Sequence, residues 1–313
     1  MEAMTFRDLT DQVALLYTKD KYAEALQLVE QNADRFPEQS VRTTFWQMCL
    51  LSLCNRPDDV MFIFRQALAK GFWWAESQFQ DTDLDAVRDL PEFKGLMAIS
   101  QKKYEEARKH IEPDQAILLP EASASHLYPL LIALHGGAGN KDANLEYWEI
   151  ARRKGWLVLS PQSTQPLYSG AYAWLDGEQG LTDLIFSIEK VSRECPIDPQ
   201  RVVVAGFSQG AGMAIYAALS GRISIRGFLG IAAFWANPGS LVPRARAARS
   251  VRGYFITGEK DRTLDKIREI QKTLQENNIQ FAEEVYPDLG HEFPPDFEKS
   301  FDKAIDFIFT EQE

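Results

Sequence analysis

Residues 202–219 read VVVAGFSQGAGMAIYAAL: a β-branched run ending in glycine, then a lone serine, a second glycine and an apolar helix-forming stretch. The spacing Gly206-Phe207-Ser208-Gln209-Gly210 predicts a strand-to-helix turn so tight that side chains at the two glycines collide with the neighbouring strand or helix. Such a turn stands the serine oxygen above the end of a sheet, and the helix N-terminus behind it favours developing negative charge. The pentapeptide alone is weak evidence, because a glycine-rich turn can carry an incidental serine. Its position between a strand and a helix strengthens it, and a nucleophilic serine needs partners that the rest of the chain can be searched for.

Around this stretch the hydrophobic pattern alternates. AILLP, PLLIALH, GWLVLSP, RVVVAGF, RGFLGIA, RGYFITG and FAEEVYP are short, β-branched or aromatic-rich runs, and helical patterns lie between most of them at 143–154, 178–193, 210–219, 263–277 and 296–309. Near-continuous apolar strands alternating with helices predict a mostly parallel sheet covered on both faces, an α/β domain spanning residues 112–313. Upstream, residues 1–111 carry apolar residues at helical spacing, as in FRDLTDQVALLY, YAEALQLVEQNA, SVRTTFWQMCLLSLC and DDVMFIFRQALAKG. The breakers Thr18-Lys19-Asp20, Phe36-Pro37-Glu38 and Asn55-Arg56-Pro57 separate them. YAEALQLVEQ overlays VMFIFRQALA at a shift of roughly 38 residues, near the period of helix-pair repeats. This segment resembles a pair of tetratricopeptide-like repeats closed by GFWWAESQFQDTDLDAVRDLPEFKGLM. Two such repeats are fewer than a free-standing array needs, so their faces are expected to pack on the downstream domain or on a partner.

Composition excludes several classes. The 313 residues carry a net charge of −11, which argues against a phosphate-backbone or anionic-membrane partner, since both need clustered Lys and Arg. The beginning, MEAMTFRDLTDQ, lacks the apolar core of a secretory signal, and no apolar run is long enough to span a bilayer. Cys49, Cys54 and Cys195 are scattered, which fits reduced thiols in the cytoplasm. No second Cys/His pair completes a zinc site with Cys49 and Cys54.

In an open α/β sheet, ligands bind beyond the carboxyl ends of the strands, so the loops after each apolar run are the place to look. After PLLIA comes Leu134-His135-Gly136-Gly137-Ala138-Gly139-Asn140, whose small residues leave backbone N–H groups uncovered. An oxyanion needs two such donors; Gln209 and Gly137 are the candidates. After RGYF comes Ile256-Thr257-Gly258-Glu259-Lys260-Asp261, where Asp261 is the natural acid to orient an imidazole, with Glu259 and Asp265 as rivals. After EEVYPD comes Leu289-Gly290-His291-Glu292-Phe293. The chain has four histidines: His110 precedes the α/β domain, His126 lies in an early loop, and His135 at its strand end reads as a brace for the glycine loop. His291 is left to act as general base toward Ser208. The chain order Ser208, Asp261, His291 is that of one serine-hydrolase architecture and not of the chymotrypsin or subtilisin orders.

LHGGAGN, SPQST, AYAWLD, GFSQGAGMA, FITGEKD and YPDLGHEF together resemble the α/β-hydrolase superfamily, in particular its phospholipase/carboxylesterase branch, which includes acyl-protein thioesterases. The resemblance covers residues 115–312. It implies a serine hydrolase of carboxylic or thio esters that uses no metal or organic cofactor, with Ser208, Asp261 and His291 as triad and Gly137 and Gln209 as oxyanion donors. Two departures stand out: Ala211 replaces a common glycine, and Arg262-Thr263-Leu264 follows the acid where proline and valines are usual. Tyr168, Tyr172, Trp174, Phe234 and Trp235 fall in loops expected near the strand ends and are candidates to line an acyl site. No long segment reads as a lid, so an open site suited to small or polar-headed esters is expected. The competing readings are a serine peptidase, since the same triad cleaves amides, and a partner-binding or self-associating protein that works through its N-terminal helices.

Overall fold

The computed structural model describes residues 4–121, 127–248 and 251–310. The chain divides into one unit of Met1–Ile111 with Pro166–Gly170 and a second of Glu112–Gln165 with Ala171–Glu313. The first unit is helical. Thr5 opens α1 (Phe6–Tyr17) with a capping box, its hydroxyl accepting from the Asp8 N–H at 3.1 Å while the Asp8 carboxylate accepts from the Thr5 N–H at 2.8 Å. Helices α2 (Tyr22–Asn32), α3 (Ser40–Leu53) and α4 (Pro57–Ala69) follow, each packed on its predecessor.

One device ends α1, α3 and α4. Asp20, Asn55 and Gly71 take left-handed backbone (φ 56°, 56° and 89°), and the next residue's N–H reaches back five residues, Lys21 to Leu16, Arg56 to Leu51 and Phe72 to Ala67, each at 3.0 Å. Asp, Asn and Gly are the residues that tolerate this conformation, so two of the breakers legible in the sequence are these caps. The stretch after α4 supplies the core of the unit. Trp74 and Phe79 from this stretch and Phe93 on α6 (Pro91–Arg108) are fully buried against Phe64 of α4, with the short α5 (Asp85–Arg88) preceding α6. Residues Pro166–Gly170 join this unit through backbone bonds, Ala75 N–H to Leu167 O at 2.8 Å and Ser169 N–H to Trp73 O at 3.1 Å.

The second unit is built on β1 (Gln115–Leu118), β2 (Tyr128–Leu134), β3 (Leu157–Pro161), β6 (Ile197–Phe207), β7 (Gly227–Ile231), β8 (Arg252–Gly258) and β9 (Gln280–Tyr286). Two short strands outside this sheet are β4 (Pro166–Tyr168), in the helical unit, and β5 (Ala171–Tyr172). The sheet order is β1-β3-β2-β6-β7-β8-β9, parallel throughout except for β1, which lies antiparallel on β3. A strand order that runs outward from β2 in one direction and from β6 in the other reverses between them. The crevice at their carboxyl ends is where such sheets bind ligands.

The strands are apolar on both sides because both faces are covered. Leu130, Ile132 and Val204 face α8 (Gly177–Glu194), α9 (Gln209–Ser220) and α11 (Leu264–Glu276); Leu131, Ala133, Val203 and Ala205 face α7 (Leu145–Arg153) and α12 (Phe297–Phe309). Burying a side chain such as Phe301 there stabilises the fold by roughly 1.5–3 kcal/mol. A short α10 (Val242–Ala247) has no counterpart in the sequence periodicity. Among the described residues no helix is long and apolar enough to cross a membrane.

Candidate active site

Ser208 sits between β6 and α9 with φ 54° and ψ −121°, a left-handed conformation for a residue with a Cβ. Its backbone is held from both sides: its N–H donates to Ile231 O at 2.9 Å, and its carbonyl accepts from Ala211 and Phe234, each at 3.0 Å, and from Gly212 at 3.2 Å. The glycines on either side are required by space. A Cβ on Gly206 would lie 2.4 Å from the Gly210 carbonyl carbon, and one on Gly210 would lie 2.3 Å from His135 O.

The Ser208 hydroxyl donates to His291 Nε2 at 2.8 Å, and the other ring nitrogen, Nδ1, donates to Asp261 at 2.9 and 3.1 Å. An ionised Asp261 only accepts, so this chain sets the tautomer with the proton on Nδ1 and the lone pair on Nε2 toward the serine. The Asp261 side chain is fully buried, whereas that of His291 is 14% exposed, so the imidazole can meet a reactant while its acid cannot. Burial pushes the Asp261 pKa up. Hydrogen bonds from His291 and Thr263 outweigh burial and hold the carboxyl below the usual carboxylate range. Thr263 contributes both its N–H and its hydroxyl to Oδ1, each at 2.7 Å, so the residue that departs from the family pattern after the acid is a fixed part of its setting. Glu259 and Asp265 are exposed, Asp265 in the first turn of α11.

The glycine loop after β2 lies beside the serine. A Cβ on Gly136 would stand 3.6 Å from Ser208 Cβ, and one on Gly137 3.2 Å from Gln209 Oε1. Gln209 is the first residue of α9, whose N–H has no intrahelical partner. His135 is 1% exposed and braces this loop: its Nδ1 donates to Gly136 O at 2.8 Å and its Nε2 accepts from the Ser163 N–H at 3.2 Å. Burial lowers its pKa to about 4, so the ring is neutral.

Residues 5–108 match the family model described as A/B hydrolase-like, N-terminal domain, and residues 179–311 match Phospholipase/Carboxylesterase, a span that takes in Ser208, Asp261 and His291. The chain is an α/β-hydrolase of the carboxylic ester hydrolase class. No curated protein matches it. Among solved structures the hydrolase is similar to an uncharacterized protein from Bacillus cereus ATCC 10987, at 23% identity and TM-score 0.54 over 98% of this chain and 99% of that one. It is also similar to esterase PE8, at 17% identity and TM-score 0.51 over 61% and 96%. Porphyromonas gingivalis dipeptidyl peptidase 4 is similar at 15% identity and TM-score 0.51 over 64% of this chain and 34% of that one. At these identities the likeness is one of fold. With the Bacillus protein it extends over both units.

Of the aromatic residues expected to line the hydrolase's acyl site, Tyr172 and Phe234 are half-buried, and Tyr168, Trp174 and Trp235 are buried. Trp174 is 1% exposed, stacked on the His135 ring at 4.9 Å, with its Nε1 donating to His135 O at 2.9 Å. Trp235, 6% exposed, packs against Tyr216 and donates to Ser240 Oγ at 3.0 Å. Both belong to the buried core of the α/β unit. Tyr168 is buried in the helical unit, bridged to Trp74, and Tyr172 ties the glycine loop by donating its N–H to Gly139 O at 2.8 Å. Ala211, in place of a glycine, is fully buried in the core under the strand-to-helix elbow that carries Ser208. His110 is exposed beside Glu106, and His126 lies outside the described residues.

Sequence reasoning passed over Thr263 as a partner of Asp261, and Asp183 altogether. Asp183 is 2% exposed, on the same buried face of α8 as Leu181 and Leu184, so a carboxylate at an apolar-face position was the available signal. Of possible metal ligands, Cys49, Asp81 and Asp83 come within 4.8 Å of one another in the helical unit. Tyr17 already donates to Asp83 at 2.7 Å, and burial, followed by the two carboxylates, pushes the Cys49 thiol up and keeps it protonated.

Proposed function

We propose that the hydrolase cleaves carboxylic and thio esters by acyl transfer through Ser208. His291 Nε2 takes the serine proton as Oγ attacks the acyl carbonyl, and the tetrahedral oxyanion rests on the N–H groups of Gly137 and Gln209. His291 then gives its proton to the leaving alkoxide or thiolate as the acyl-enzyme forms. Water, deprotonated by the same ring, adds to the acyl carbon, and collapse of the second tetrahedral intermediate returns the proton to Ser208 and releases the acid. Asp261 holds the Nδ1 proton and stabilises the imidazolium in each half. The observation that carries this reading is the unbroken chain Ser208 Oγ to His291 to Asp261 at 2.8 and 2.9 Å, ending in a buried carboxylate.

The test is hydrolysis of a chain-length series of chromogenic acyl esters, thioesters and anilides by the full chain and by Ser208→Ala. Loss of the hydroxyl should lower kcat by several orders of magnitude, up to about a million-fold. Ester turnover that survives in Ser208→Ala would overturn the mechanism, and preference for the anilide would move the assignment to a peptidase. A cytoplasmic setting belongs to the same proposal and is supported by three free cysteines.

A further inference from the structure

The peptide joining Gly136 to Gly137 decides where the Gly137 N–H points. A trans peptide is planar, with its C=O and N–H directed oppositely, so holding the carbonyl aims the N–H. The Gly136 carbonyl is held by His135 Nδ1 at 2.8 Å and by the Gly139 N–H at 3.1 Å. The His135 ring is in turn fixed by the Ser163 N–H at Nε2 and by the face of Trp174. Ser163 is locked by its hydroxyl, which donates to Ala173 O at 2.6 Å and accepts from the Gln165 N–H at 3.1 Å.

The next residue reaches the buried acid. Thr164 gives its N–H to Asp183 Oδ2 at 2.8 Å and its hydroxyl to Oδ1 at 2.9 Å, and Gln179 Nε2 adds a third donor at 3.0 Å. Three donors on one buried carboxylate hold the Ser163-Thr164 turn in a single geometry against α8. The second oxyanion candidate is tied to the same support, since Gln209 Oε1 accepts from the Trp174 N–H at 2.9 Å.

We propose that Asp183 is a positioning residue for the oxyanion site, acting through Thr164, Ser163 and His135 to aim the Gly137 N–H at the developing charge. This rests on the acyl-transfer reading above. Asp183 touches no reactant; it keeps a donor pre-aimed, so its removal affects the transition state and spares ground-state binding.

The test compares full-length Asp183→Asn with the wild type, with turnover counted per serine titrated by an organophosphonate so that unfolded protein drops out. Asparagine sets an NH2 against donors, which breaks at least one of the three bonds. A missing oxyanion donor costs about 10²–10³ in kcat, so a misaimed one should cost roughly 10–100-fold, with KM within about twofold. Inhibition by an acyl trifluoromethyl ketone, whose adduct carries the oxyanion, should weaken by the same factor as kcat/KM. Thr164→Val, which removes one donor and leaves the carboxylate, should move both quantities the same way by less, and it stands in if Asp183→Asn does not fold. His135→Asn keeps a donor near the place of Nδ1 and should retain more kcat than His135→Leu. Asp183→Asn combined with His135→Leu should be no slower than His135→Leu alone, because both act on one peptide. Additive losses, or unchanged kcat per titrated serine in both Asp183→Asn and Thr164→Val, would refute the relay. Ester turnover surviving in Ser208→Ala would instead refute the acyl-transfer reading itself.

Discussion

The strain stored at Ser208 can be measured by comparing Ser208→Gly with Ser208→Ala. Both remove the hydroxyl and its 2.8 Å bond to His291, so that loss cancels between them, and both should be inactive. They differ in what φ 54°, ψ −121° costs. Alanine keeps a Cβ in a region that L-residues avoid, at about 1–3 kcal/mol, and the four backbone hydrogen bonds on Ser208 leave little room to relax. Glycine adopts the conformation freely but enlarges the unfolded ensemble, which costs roughly 0.4–1 kcal/mol. The balance favours Ser208→Gly by about 1–2 kcal/mol, or a Tm higher by roughly 3–6 °C for a domain of this size. Thermal and urea unfolding followed by tryptophan fluorescence reads the difference. A glycine variant no more stable than the alanine variant would show that the elbow carries no strain, and the account of why the serine stands ready above the sheet would fail.

Asp261→Asn should lower kcat per titrated serine by about 10⁴-fold with little change in stability, because an amide facing Nδ1 favours the wrong imidazole tautomer; turnover within tenfold of wild type would refute the role. The neutral His135 makes stability depend on pH. Its folded pKa of about 4 lies below the ordinary histidine value, so the unfolded chain binds the proton first. Stability is therefore full above about pH 6.5 and falls by about 3 kcal/mol as pH drops toward 4. His135→Asn should flatten that part of a urea-midpoint profile relative to wild type. Gly210→Ala places a methyl 2.3 Å from His135 O and 2.5 Å from Leu134 O, both backbone atoms, so it should destabilise by about 1–3 kcal/mol or more and abolish activity. A soluble variant with wild-type Tm and turnover would contradict the packing described under the elbow.

The alternation of strand and helix, the glycines around Ser208 and the breakers that became helix caps were all legible in the chain, because each is a local matter of period, volume or backbone conformation. The order of Ser208, Asp261 and His291 was legible for a related reason. Each follows an apolar run, and the carboxyl ends of parallel strands come together whatever the loops between them do. The tertiary structure decided the rest. Whether Trp174 and Trp235 faced a ligand or the core depended on how their loops fold back, which their own sequence does not encode. That Thr263 seats Asp261 required the turn into α11 to be built, and that Asp183 reaches the Thr164 turn required α8 to be set against it, 19 residues along the chain. Periodicity reports which face of an element is buried. Hydrogen bonds between buried polar groups depend on angstrom-scale positions that only packed elements supply.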